Sequence, residues 1–326
     1  MPYFCTLFDH NYLPRFITMY QSLVATGFSF RLYAFCMDDE CYNRMNELNL
    51  DGVVSVSVQQ LEAYDKDLAA TKSNRSLVEY YFTCTPAICN YVIGNYPELD
   101  SVTYLDADLY FFSSPQAIFD EIGNASIAIV EHRFSRFGRR FIKNGRFNVA
   151  WITFKNNAEG LRCLSNYRLQ CIDWCYDYLD GDKYGDQKYL DKWPQEYNGV
   201  HIIQNLGVNL APWNLAGYNY SLQNGKVYVN NYELVFFHFA GLKQLKEGVY
   251  TTSVSSYFEF VPTIVKDFIY LPYINDLNKN SDQQNITRKT INPKYLKFSL
   301  QRFFKEIIRK TRIYLFYDVI TLKKNP

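Results

Sequence analysis

The sequence predicts an α/β protein: a mixed, mainly parallel sheet flanked by helices, with a helical appendage at the C-terminal end. Three observations predict it. Short apolar runs alternate with helix-period segments over residues 3–105. Val53–Val58 (VVSVSV) alternates with the period of two that marks a strand. Strands joined through helices need right-handed crossovers, which lay them parallel.

Residues 3–8 read as a buried strand and Asp9-His10-Asn11 as the polar loop after it. A helical pattern follows from Tyr12 to Ala25, then a strand over Phe30–Cys36 and a short helix over Asp39–Leu48. Ser76–Tyr96 reads as a long helix with Pro86 as a kink or break. Val102–Leu105 is the fourth strand and carries Asp106 and Asp108 at its carboxyl end. Parallel sheets bind ligands beyond the carboxyl ends of their strands, so the Asp9 loop and the Asp pair can share one cleft. Ser126–Glu131 and Phe147–Phe154 then read as strands and Asn157–Leu179 as a helix. Short strands follow near His201–Ile203, Lys226–Val229 and Leu234–His238. The stretch 132–145 is a basic loop (Arg133, Arg136, Arg139, Arg140, Lys143). It suits a cover for a ligand, a contact for an anionic acceptor, or a solvated surface. Asn275–Asn292 is polar and reads as a linker. The expected division is a catalytic domain over 1–274, in halves 1–112 and 113–274, a linker over 275–293 and a tail over 294–326.

Nearly half of the 326 residues are apolar (48%), which suits a globular chain. Net charge is only +1, yet residues 286–326 hold eleven Lys and Arg against Glu306 and Asp318. A basic tail on an acidic body argues against general nucleic-acid binding. In the tail, Leu300, Phe303, Phe304, Ile307, Ile308, Tyr314, Leu315, Val319 and Leu322 fall near helical spacing, with Lys297, Arg302, Lys305, Arg309 and Arg312 on other faces. Such a helix either packs on its own domain or lies on an anionic membrane surface. Eight cysteines lack zinc-site spacing and read as buried small hydrophobes. Met1–Cys5 shows no signal-peptide pattern, and no apolar run is long enough to span a bilayer, so a cytoplasmic location is expected, with peripheral contact at the membrane's inner face.

The chemistry concentrates at Asp106-Ala107-Asp108. In extended backbone, residues two apart share a face, so both carboxylates can aim at one point. A divalent cation between them would bring in a phosphate-bearing substrate; a surface pair capping a turn is the plainer alternative. Four further signals follow in order. They are Phe147-Asn148, Tyr184-Gly185-Asp186-Gln187, Asn205-Leu206-Gly207-Val208-Asn209 with Pro212-Trp213-Asn214, and Phe236-Phe237-His238-Phe239-Ala240-Gly241-Leu242-Lys243.

This ordered set, spanning residues 3–243, resembles the GT-A glycosyltransferases, and among them the family-8-like enzymes that use nucleotide-diphosphate sugars. The resemblance implies a Rossmann-like GT-A fold, a UDP-sugar donor bound by the first half, and a divalent metal, Mn2+ with Mg2+ as the alternative. It also implies retention at the anomeric carbon. A cytoplasmic glycosyltransferase with a basic amphipathic tail suggests a glycan or lipid-linked glycan acceptor and a role in lipopolysaccharide or cell-surface polysaccharide synthesis. By resemblance, Asp106, Asp108 and His238 are the metal ligands. Asp186 holds donor-sugar hydroxyls, Gln187 stabilises the positive sugar, and Asn148 binds the donor sugar or an acceptor hydroxyl. Gly241 lets the backbone approach phosphate, and Lys243 meets the leaving diphosphate. Phe8, Asp9, Asn11 and Tyr12 match the nucleotide loop, Arg75 a donor contact, and Ala107 the residue between the acids. Plainer roles stay open: Asp186 as a helix N-cap, Asn148 as a strand-end polar group, His238 as a buried histidine. The chain departs from the family in Phe8, where a small residue is usual, and in Gln244-Leu245, where Pro-Trp is usual.

Rival functions fit less well. A phosphatase built on D-x-D needs Thr or Val two residues after the second acid, and Asp108 is followed by Leu109-Tyr110. A nucleotidyltransferase wants a Gly-rich loop after the first strand, and Phe8-Asp9-His10 has no glycine. A catalytically silent sugar-nucleotide-binding or scaffold protein would keep all of these motifs.

Overall fold

The computed structural model describes residues 1–283 and 318–322. The chain opens with β1 (Tyr3–Phe8), α1 (Leu13–Ala25), β2 (Arg31–Cys36), α2 (Asp39–Leu48) and β3 (Val53–Ser57). Three helices follow, α3 (Val58–Tyr64), α4 (Lys66–Thr71) and α5 (Leu77–Asn95), and then β4 (Ser101–Leu105), β5 (Leu109–Phe111) and α6 (Gln116–Ile122). Next come β6 (Ile127–Glu131), β7 (Phe147–Lys155), α7 (Ala158–Asp173), α8 (Trp193–Glu196) and β8 (Val200–Ile202). Short strands β9 (Tyr220–Gln223), β10 (Lys226–Val229), β11 (Tyr232–Glu233), β12 (Phe236–His238), β13 (Lys243–Lys246) and β14 (Val249–Thr251) lead to α9 (Thr263–Val265) and α10 (Leu271–Gln283). A last strand, β15, spans Val319–Thr321.

The main sheet runs β3-β2-β1-β4-β7-β6-β8. β7 opposes both of its neighbours, and every other pairing is parallel. The carboxyl ends of β1 and β4 therefore meet the amino end of β7 on one edge. That edge collects Asp9, Asp106 and Asn148. The strands are buried on both faces, as a helix-covered sheet requires. One core cluster lies towards α5 and α7, with Cys84, Ile88, Cys163 and Trp193. The other lies towards α1 and α6, with Phe4, Phe16, Ile118 and Trp151. All eight cysteines are buried free thiols. Among the described residues no helix is long and apolar enough to cross a membrane.

Several local expectations change. The basic loop contains a 3-10 helix over Gly138–Asn144. α5 passes through Pro86 without a break, held at its start by a capping box in which Ser76 and Glu79 exchange bonds. α7 stops at Asp173 rather than Leu179, because Arg75 takes the carbonyls of Ile172 and Asp173 at 3.1 and 3.4 Å. The polar stretch expected as a linker from 275 is helical through Gln283. Tertiary contacts explain it: Asn280 bonds Thr18 and Gln21 of α1 at 2.9 and 3.0 Å, and Tyr273 stacks on Phe239 at 3.6 Å.

The amphipathic tail helix lies outside the described residues except at 318–322, which are not helical. There β15 pairs with β14. The buried Asp318 carboxylate accepts from Thr252 Oγ1, Ser255 Oγ and the Val254 N–H. Asp318→Ala leaves three buried donors without their acceptor. Unfolding in urea is expected to show a loss of about 2–4 kcal/mol. A change within about 0.5 kcal/mol would mean that these three hydrogen bonds contribute nothing to stability.

Candidate active site

The two acids do not lie in extended backbone. Asp106 follows the last residue of β4, and Ala107-Asp108 form a turn into β5. The turn is anchored by the Asp106 N–H to the Ala150 carbonyl, 3.3 Å. Convergence comes from β12, which runs antiparallel to β5 and sets His238 opposite Leu109. His238 Nε2 lies 3.5 Å from Asp106 Oδ2 and 3.2 Å from Asp108 Oδ1. One ligand atom from each residue falls within 4.8 Å of the others. The side chains are 27%, 10% and 7% exposed for Asp106, Asp108 and His238, so the cluster opens to solvent on the Asp106 side.

A chain of hydrogen bonds orients the imidazole. The His132 ring lies 3.3 Å from the Arg146 carbonyl through Nδ1, which must donate there, so Nε2 accepts from the Asn148 amide at 3.2 Å. Asn148 Oδ1 then accepts from His238 Nδ1 at 3.3 Å. His238 Nε2 is left facing the carboxylates, the arrangement in which an imidazole binds a metal. Burial holds His132 neutral, down to about 3. The Trp213-Asn214 pair keeps it in place, since Trp213 Nε1 and Asn214 Nδ2 both donate to its carbonyl at 2.8 and 2.9 Å. Asn148 thus has each end of its amide bonded to a histidine while it also lines the cleft.

The charges divide unevenly. Burial raises Asp106, with His238 opposing and Asp108 adding to the rise. Burial also acts upward on Asp108, but His238 and Arg15 overcome it and hold that carboxyl below its usual range. For His238, burial acts downward and the two acids reverse it, so the imidazole is raised. The two acids thus favour positive charge between them. Two hard oxygens and an imidazole nitrogen fit a divalent ion such as manganese.

The adjoining cleft has a volume of about 390 Å3. Its walls include Phe8, Asp9, Tyr12, Tyr81, Asp106, Ala107, Asp108, Asn148, Asp186, Gln187 and His238. Asp186 precedes a 3-10 helix but makes no capping bond with its side chain. Burial raises its carboxyl to about 7, with a Thr85 hydroxyl opposing. Gln187 donates its amide nitrogen to the Asn144 carbonyl at 2.9 Å, which leaves its carbonyl oxygen for the cleft. Asp9 accepts from the Tyr12 N–H and the Tyr81 hydroxyl at 3.1 and 3.4 Å. Phe8 borders the cleft, but its ring stacks on Phe16 at 4.1 Å and belongs to the core.

Four expected residues fall outside this lining. Asn11 is exposed beyond it. Arg75 lies over the Tyr176 ring at 4.0 Å and closes α7, so its guanidinium is already engaged. Lys243 is exposed at the start of β13. Gly241 has φ +73, and a Cβ there would come within 2.9 Å of Ser253 Oγ. Arg15 and His132 carry parts of the site that the motifs did not announce. Arg15 binds the Leu242 carbonyl at 2.6 Å and so ties the Gly241–Lys243 segment to α1. A cation in an otherwise apolar first helical turn was the available signal.

The architecture is the GT-A fold of glycosyltransferases. The galactosyltransferase LgtC, solved in complex with donor and acceptor sugar analogs, superposes with a TM-score of 0.51 at 14% identity, over 90% of this chain and 98% of LgtC. An active-site mutant of LgtC gives 0.54 at 15% identity, over the same shares. The uncharacterized protein YfnD of Bacillus subtilis (strain 168) is 31% identical over 284 residues, which is 86% of this chain and 90% of YfnD. The chain belongs to the YfnD family. YfnF of the same organism, also uncharacterized, is 28% identical over 248 residues, 74% of this chain and 81% of YfnF. No family model matches the chain.

Proposed function

We propose that the chain is a metal-dependent glycosyltransferase. It moves a sugar from a nucleotide-diphosphate donor, UDP-linked, to a hydroxyl of a glycan acceptor in lipopolysaccharide or cell-surface polysaccharide synthesis. The observation that carries this reading is the meeting of Asp106, Asp108 and an oriented His238 Nε2 at the mouth of a cleft on a GT-A sheet. Asp106, Asp108 and His238 would hold the divalent cation, which supplies positive charge to the diphosphate as it leaves.

The rest is work for the chain's own groups. Asp9, Tyr12 and Tyr81 offer a polar and aromatic wall for the nucleoside. Asp186, poised near neutrality, can accept from or donate to donor-sugar hydroxyls. The Gln187 carbonyl oxygen faces the positive charge that grows on the anomeric carbon. The carbon–oxygen bond to the diphosphate breaks with its electron pair on the leaving group. The acceptor oxygen attacks the same face, and its proton passes to the departing diphosphate, which gives retention. Lys243 and Gly241 would act on that diphosphate from a segment that Arg15 holds. Incubation with UDP-sugars is expected to release UDP with manganese and not with a chelator. Absence of release from every donor would overturn the reading. A product with inverted anomeric configuration by proton NMR would overturn retention alone.

A further inference from the structure

The 3-10 helix Gly138–Asn144 and the two residues before it show a burial pattern of period three. Gly138 is buried and Phe141 and Asn144 are partly buried, while Arg136, Phe137, Arg139, Arg140, Ile142 and Lys143 are exposed. A 3-10 helix has three residues per turn, so every third side chain shares a column. One column here faces inward, where Phe141 meets Tyr257 at 5.2 Å. The other two face out and carry Arg136, Arg139 and Ile142 beside Phe137, Arg140 and Lys143.

This outward face has a composition that the fold does not require. Phe137 is 65% exposed and Ile142 43%. Residues 132–158 contain no Asp or Glu. Arg140 is engaged with the Ser256 carbonyl and the Phe258 ring. Among the described residues, Arg136, Arg139 and Lys143 have no carboxylate partner. Two adjacent exposed columns make an outward helix face, which suits a surface rather than a small molecule. Cations interleaved with exposed apolar side chains match an anionic lipid surface, which takes the charges at its headgroups and the apolar groups just below them. The rod ends at Asn144, whose carbonyl holds Gln187 in the cleft.

We propose that residues 136–143 form a docking face for an anionic phospholipid bilayer, seating the cleft beside the membrane. The test uses the full chain and vesicles of equimolar phosphatidylglycerol and phosphatidylcholine, with pure phosphatidylcholine as the reference. Sedimentation is expected to show binding to the anionic vesicles. Arg136→Ser, Arg139→Ser and Lys143→Ser together should weaken it at least about tenfold, since one basic residue near such a surface strengthens binding about fivefold. Phe137→Ser with Ile142→Ser should weaken it to a similar degree, with an unchanged melting temperature. In the otherwise native chain, Phe137→Trp should add fluorescence that brominated lipid quenches.

Full binding by the triple variant would overturn the proposal. So would a loss that appears only on Arg302→Gln, Lys305→Gln and Arg309→Gln. If the apolar double variant binds the vesicles as the parent does, Phe137 and Ile142 play no part in binding and the proposed face, with its apolar groups below the headgroups, is overturned. If the triple variant fails to fold, an unquenched Trp at position 137 still overturns the proposal.

Discussion

Replacing Asp108 with asparagine, or His238 with alanine, is expected to lower manganese-dependent turnover by more than about a hundredfold. Neither change should unfold the chain, because Asp108 lies in the turn before β5, His238 ends β12, and both line the cleft. The two variants should differ from the parent in their response to pH. The two acids raise the His238 imidazole, so a metal there competes with a proton. Parent metal affinity should therefore weaken as pH falls through the His238 titration. That slope should flatten in His238→Ala. Metal titrations at two pH values, with turnover at saturating metal, would check both statements. Full activity in either variant would remove that residue from the metal shell.

Asp186→Asn is expected to stabilise the chain and to cripple it. The folded carboxyl titrates at about 7, against an ordinary 3.8. Below the ordinary value it is protonated in both states and costs nothing. As pH rises, the unfolded chain releases its proton first and the folded chain does not, so stability falls until about 7 and then levels. The asparagine variant lacks this penalty. Urea unfolding should give curves that converge in acid and separate by a few kcal/mol, on the order of 2–4, at mildly alkaline pH. Turnover should fall about a hundredfold if the carboxyl holds donor hydroxyls. A variant that is both stable and fully active would return Asp186 to a structural role.

Much of this site is legible in the sequence, for reasons that differ by residue. The Asp pair and His238 stand out because apolar strand runs deliver them in a fixed order. The i, i+2 spacing of the acids suggests extended backbone, yet the backbone there is not extended. The acids share a turn, and the antiparallel β5–β12 pair brings the imidazole to them. His132 was invisible because its function depends on Asn148 and the Trp213-Asn214 pair, which lie far from it along the chain. Arg75 lies outside the cleft lining for a reason its position does not reveal: its guanidinium bonds the carbonyls at the end of α7. The polar composition of 275–283 hid a helix because Asn280 satisfies its amide on α1.

The docking of β15 on β14 has a practical consequence for anyone shortening this protein. Cutting the chain at residue 294 would strip an edge strand and the carboxylate that three donors share. A shortened chain that fails a functional test would confound removal of the tail with partial unfolding. Charge-neutralising substitutions in an intact chain keep the two apart. Any purification handle belongs ahead of Met1, which is 65% exposed.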